Sequence, residues 1–215
     1  MNELERDIAG ATRANARVIA ALADLTDDQI LEPSLLPEWT VGHVATHIAR
    51  NAEGHVRMIA AAARGEVAAM YPGGREQRTD DIEAGARRTA AAIAADVAHT
   101  AGELERSWAT LAPIAWDGTG ETIAGSTAIR DLPFIRWREV TVHHADLGIG
   151  FTWSDWDAEY VRLELGRLTM LWASRKPMGL TALPAEALAV GAHQRVAWLL
   201  GRTDIEGLPP AGIMI

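Results

Sequence analysis

The sequence predicts a mainly α-helical protein organised as a four-helix bundle with a smaller C-terminal part. Three observations predict it. Four long segments place apolar residues at helical spacing, strand-like sequence interrupts them once, and breakers such as Pro33, Pro37 and Tyr71-Pro72-Gly73-Gly74 separate them. The first helix spans Leu4 to Leu25, with Leu4, Ile8, Ala11, Val18 and Leu22 on its apolar face. A polar interval from Thr26 to Ser34 follows, and its prolines argue against one unbroken helix. Thr40 is placed to cap a second helix, which runs through Val41, Val44, Ile48, Val56 and Ile59 to about Arg64. A third helix begins at Thr79 or Asp80 and continues through an alanine-rich stretch to about Leu111, ending before Pro113.

Trp116 to Thr122 reads as a turn or short hairpin. The fourth helix is expected from about Ser126 to Leu147, with Pro133 near its start or kinking it. A fifth helix, about Ala158 to Ala173, opens the C-terminal part. Pro177 and Gly179 then lead to a short apolar piece, Leu180 to Leu183, and a sixth helix covers about Ala185 to Leu200, stopped by Gly201. The tail Gly207-Leu208-Pro209-Pro210 is irregular.

The 215 residues allow one full domain plus a small second one, and 48% hydrophobic with 23% charged residues is ordinary globular composition. Cysteine is absent, which excludes disulfides, thiolate metal sites, iron–sulfur clusters and a protein thiol nucleophile. Any thiol chemistry here needs sulfur carried on a substrate. The net charge of -9 and pI of about 5.2 argue against binding nucleic acid or an anionic membrane. The opening MNELERDIAG has neither the basic start nor the apolar run of a signal peptide, and no stretch is long enough to span a membrane. A cytoplasmic protein is the expectation.

Five of the seven histidines fall in two short segments, HVATHIARNAEGH and REVTVHH. Residues four apart on a helix share a face, so His43 and His47 point one way together, as do Glu139 and His143. His144 lies well round the helix from Glu139. Two such pairs on facing helices are how bundles build metal sites. Nitrogen and carboxylate donors without sulfur suit catalytic zinc with an open position, and the same set holds non-haem iron(II). A solvated helix face produces such pairs too, and spacing does not choose between His43 and His47. Trp39 and Trp137 read first as core anchors in a chain with eight tryptophans, two phenylalanines and two tyrosines. Arg202, after Gly201, suits either a substrate carboxylate or the last carbonyls of its own helix. Asn51 and Asp146 read as structural polar residues.

The segment from Ser34 to His47, SLLPEWTVGHVATH, resembles the zinc-site helix of mycothiol-dependent maleylpyruvate isomerases, and Arg138 to Gly148, REVTVHHADLG, resembles that family's second zinc segment. The motifs belong to the wider DinB-like metalloenzyme superfamily, and the C-terminal end narrows the resemblance to the isomerase branch. The resemblance implies a DinB-like four-helix bundle at residues 1–150 carrying the metal site and a small α/β domain at 151–215, with the site between them. That domain is shorter here than in the family, Leu180 to Leu183 being its one strand candidate.

Carried over by position, the resemblance makes His47, Glu139 and His143 the zinc ligands, leaves His43 outside, and matches Arg202 to a functionally important arginine. It also implies thiol-dependent cis–trans isomerisation of maleylpyruvate to fumarylpyruvate in the gentisate pathway, with mycothiol supplying the sulfur. Three rival readings remain: a mycothiol S-transferase acting on other electrophiles, a non-catalytic zinc-stabilised bundle closed by a fourth ligand such as His43, and an iron(II) enzyme.

Overall fold

Asn2 opens the first helix, α1 (Glu3–Ala23), through a reciprocal cap: its side chain accepts from Glu5 N–H at 2.8 Å while Glu5 accepts from Asn2 N–H at 3.0 Å. A computed structural model of the chain describes residues 1–177 and 181–213. Ala11, Val18 and Leu22 of α1 are buried, as their spacing predicts. The polar interval that follows, where the prolines argue against one unbroken helix, holds a short one, α2 (Asp27–Leu31). Thr26 and Gln29 form a second reciprocal cap there, enough to start one turn before Pro33 stops it.

The second long helix, α3 (Val41–Ala62), starts at Thr40 as expected. The helix predicted from Thr79 to Leu111 is two helices, α4 (Gly74–Ala86) and α5 (Ala90–Thr110). The break has a local cause. Thr89 accepts from Ala92 N–H at 3.3 Å, and Asp27 accepts from Ala90 N–H at 2.7 Å, so the opening donors of α5 are satisfied without a preceding turn.

The hairpin lies further along than expected. Strand β1 (Thr119–Thr122) pairs antiparallel with β2 (Gly125–Ala128), in the register Thr119 to Ala128 and Thr122 to Gly125. Residues 126–131, expected as the start of a helix, are therefore strand and a 3-10 turn. Helix α6 (Leu132–Asp146) begins after them, with Pro133 in its first turn, where its missing N–H has no intrahelical partner to lose.

Helix α1 packs on α5 and α6, and α3 packs on the same two, which closes a ring of four; α4 and β1 lie against α3. The α1–α6 contact depends on a glycine. A Cβ at Gly10 would stand 2.3 Å from ring atoms of Trp137, which is 2% exposed.

By internal packing the chain divides into two compact units, Met1–Gly150 and Phe151–Ile215. In the second unit, α7 (Ala158–Ser174) is followed by α8 (Ala185–Ala189) and α9 (Ala192–Leu199). The single helix expected over Ala185–Leu200 breaks at Val190 and Gly191. Arg195 donates to the carbonyls of Ala187, Leu188 and Val190 at 2.6, 2.9 and 2.8 Å, which closes the open end of α8. Trp172 and Trp198 pack with ring centroids 5.5 Å apart, and their indole N–H groups donate to Ala182 and Pro209 carbonyls. Of the predicted apolar piece, Leu180 lies outside the described residues, and residues 181–183 are irregular. Among the described residues, the β1–β2 pair in the first unit is the only sheet, and the second unit contributes helices. Among them, no helix is long and apolar enough to cross a membrane.

Candidate metal centre

Helix α3 carries His47 inward, and α6 carries Glu139 and His143 one turn apart on the face that meets α3. The three side chains offer ligand atoms that all lie within 4.8 Å of one another. His47 Nε2 is 3.2 Å and His143 Nε2 3.6 Å from the same Glu139 oxygen, and the two imidazoles sit edge to face with centroids 4.6 Å apart. A good charge-assisted hydrogen bond is shorter, about 2.7–2.9 Å. Donors bound to one zinc at ~2.0–2.2 Å in a tetrahedron stand roughly 3.3–3.5 Å apart. The two distances to Glu139 lie close to that edge, and two imidazoles with one carboxylate are a donor set that fits a metal ion.

The surroundings orient these donors. His143 Nδ1 lies 2.8 Å from a carboxylate oxygen of buried Asp146. That carboxylate accepts the ring proton and leaves the Nε2 lone pair facing the cluster. Asn51 Nδ2 reaches the Glu139 oxygen at 3.4 Å. The orientation of this amide follows from Arg136, which is wholly buried and donates to Asn51 Oδ1 at 2.9 Å and to the Ile48 carbonyl at 2.7 Å. A guanidinium only donates, so Asn51 must turn its oxygen to Arg136 and its NH2 to Glu139. Both Asn51 and Asp146, read from sequence as structural, thus touch the donor set directly.

Burial pushes His47 down to about 4, against the raising effect of its hydrogen bond to Glu139. Burial would raise Glu139, but the hydrogen bond from His47 and the charges of His143 and His47 outweigh it and hold the carboxyl well below the usual range. At neutral pH His47 therefore keeps a lone pair and Glu139 a negative charge, the states that metal ligation requires.

Of the two histidines that spacing left equal, the structure brings only His47 to the cluster. His43 Nδ1 lies 2.8 Å from Thr40 Oγ1 and accepts from Thr40 N–H at 3.2 Å, so His43 serves the helix cap. Its Nε2 contacts Glu83 at 3.4 Å. Trp39 walls the site, edge-on to His47 at 5.7 Å, whereas Trp137 is a core residue. Arg202 belongs to the second unit and donates from Nη1 to the Leu200 carbonyl at 2.7 Å. One further residue at the centre carries no signal in the sequence. Arg78 on α4 donates from Nη2 to His47 Nδ1 at 3.2 Å and lies 5.8 Å over the Trp39 ring. One of two arginines on a polar helix, it has no periodic signal to single it out.

A helical bundle that turns two imidazoles and a carboxylate inward from facing helices belongs to the class of bundles built around a metal-type donor set. Residues 11–148 match the family described as the mycothiol maleylpyruvate isomerase N-terminal domain, and the chain belongs to that family. The fold is similar to two solved structures, the mycothiol-dependent maleylpyruvate isomerase and a histidine-to-alanine mutant of it. Each is 24% identical, covers 94% of this chain and 90% of the other, and superposes with a TM-score of 0.83. No curated protein matches the chain in sequence.

Proposed function

We propose that the chain is a zinc- and mycothiol-dependent isomerase that converts maleylpyruvate to fumarylpyruvate in the cytoplasm, within aromatic degradation through gentisate. The observation that carries this is the His47–Glu139–His143 cluster, whose ligand atoms lie within 4.8 Å of one another, in a member of a family described by that reaction. Lack of cysteine accords with an enzyme that takes its sulfur from a cosubstrate. The three side chains would hold the metal, and Asp146 and Asn51 would fix the rings and carboxylate around it. When bound, zinc with an open position supplies Lewis acidity that favours the thiolate form of a thiol near neutral pH.

The thiolate of mycothiol adds to the cis alkene and the electron pair passes to the conjugated carbonyl. The former double bond then rotates, and expulsion of the thiolate restores it as trans. No atoms are gained or lost. Within this reading Arg202 holds a substrate carboxylate through its planar fork. His43 is engaged at the helix cap, which speaks against a site closed by that side chain.

The test mixes purified protein with maleylpyruvate, with and without mycothiol, while bound metal is assayed in parallel. Turnover should require mycothiol and scale with zinc content. His47→Ala should lose zinc and turnover together, and Arg202→Lys should lower kcat/KM with zinc retained. Full activity without bound metal overturns the zinc assignment. Zinc with mycothiol binding but no turnover moves the reading to a mycothiol S-transferase. Oxygen consumption stimulated by iron and not by zinc moves it to an iron(II) enzyme.

A further inference from the structure

Several arginines of the first unit have carboxylate partners: Arg6 pairs with Asp7, Arg50 and Arg88 share Asp96, Arg64 meets Glu66, Arg106 meets Glu103, and Arg130 meets Asp117. Arg78 stands apart. Among the described residues no Asp or Glu pairs with it, and its hydrogen bond goes to an imidazole nitrogen, His47 Nδ1. A guanidinium carries five N–H donors in a rigid fork suited to a carboxylate. One of them meets His47, at the edge of the donor cluster, while the Trp39 ring braces the cation at 5.8 Å.

The contact with His47 also conflicts with metal ligation. A neutral ring that offers Nε2 to a metal carries its proton on Nδ1. Arg78 would then set one donor against another, so that N–H needs a different acceptor, either the neighbouring Tyr71 hydroxyl or an anion of the ligand. Among the described residues no carboxylate pairs with it, that of Glu139 being part of the donor set.

We propose that Arg78 is an anion-recognition residue of the metal centre, taking one carboxylate of a small dicarboxylate substrate. The assignment rests on the isomerase reading only for the identity of that substrate. Maleylpyruvate carries two carboxylates, and Arg78 would supply a fork for one of them. The site would discriminate against an otherwise similar monoanion, because a lone cation beside the metal is matched only by a second negative charge.

The test uses the zinc-loaded full chain titrated with maleate, a stable cis dicarboxylate, and read by calorimetry and by tryptophan fluorescence, since Trp39 lies against Arg78. Zinc content is measured on the same samples. Arg78→Gln should weaken maleate binding about tenfold or more, the scale of one charge-assisted contact, with zinc content unchanged. Arg78→Lys should fall between, keeping charge but losing the fork. Maleate affinity equal in wild type and Arg78→Gln, or no maleate binding by the wild type, overturns the assignment. Zinc loss in Arg78→Gln does so as well, since Arg78 would then serve His47. The two proposals fail separately. Arg78-dependent maleate binding without maleylpyruvate turnover removes the isomerase reading and leaves the anion site, while turnover with maleate affinity indifferent to Arg78 does the reverse.

Discussion

Asp146 shows how much a donor set depends on residues that touch no metal. Its carboxylate fixes the His143 ring at 2.8 Å, and its backbone carbonyl accepts from Leu35 N–H at 2.9 Å, tying the loop that carries Trp39 to the end of α6. Asp146→Asn keeps the shape and an acceptor but loses the charge. It should weaken zinc binding about 10–100-fold, measured by competition with a chelator, with little change in secondary structure. Unchanged affinity would reduce Asp146 to a packing residue. At this scale the sequence was informative about which residue types meet, because positions four apart on a helix share a face. It could not separate His43 from His47, since both satisfy that rule. What separates them is the Thr40 cap, which engages His43 at the third helical position. Arg78 was illegible for another reason: it reaches the centre from α4 by tertiary packing, and no spacing relates it to His47.

The helices that bear the donors were legible, α3 at both ends and α6 at its C-terminal end, but the start of α6 and the breaks between elements were not. Helical periodicity located α1, α3 and α6, but it ran straight through the α4–α5 and α8–α9 breaks, because alanine-rich sequence is compatible with helix throughout. Those breaks are set by single side chains, Thr89 with Asp27 in one case and Arg195 in the other. The seating of α6 is set by a single position as well. Gly10 lets α1 approach the Trp137 face of the helix that carries Glu139 and His143. Gly10→Ala would place a methyl group against the indole, and overpacking of this kind costs about 1–3 kcal/mol, more than the helix propensity that alanine adds. Urea unfolding should show this loss. A stabilised Gly10→Ala protein would mean that the α1–α6 contact yields without strain.

For the whole molecule, two buried imidazoles make acid the weak side of its stability. Burial pushes His55 down to about 3 and His47 to about 4, from an ordinary value of 6.5. In the metal-free protein the unfolded chain takes up these protons as pH falls through 6.5, while the folded chain refuses them until about 4 and 3. Their contribution is therefore complete above pH 6.5 and is lost on acidification between 6.5 and about 3. Each unit corresponds to about 1.4 kcal/mol, which makes the loss on the order of several kcal/mol for the pair. Urea midpoints measured in chelator from pH 7 to 4 should fall steeply, and less steeply in His55→Gln. An identical slope in that variant would show that His55 is not kept neutral.

The donors lie far apart along the chain, His47 and Glu139 being 92 residues distant. An ion held between them would act as a reversible cross-link in a protein that has no cysteine to make a permanent one. An ion bound only by the folded form adds about 2.7 kcal/mol at a hundredfold excess over its Kd. Depletion of the ion would then silence the enzyme and loosen it in the same event. The stripped chain would present itself to cellular proteases as the more easily opened of two forms, so that turnover of the protein itself follows metal supply.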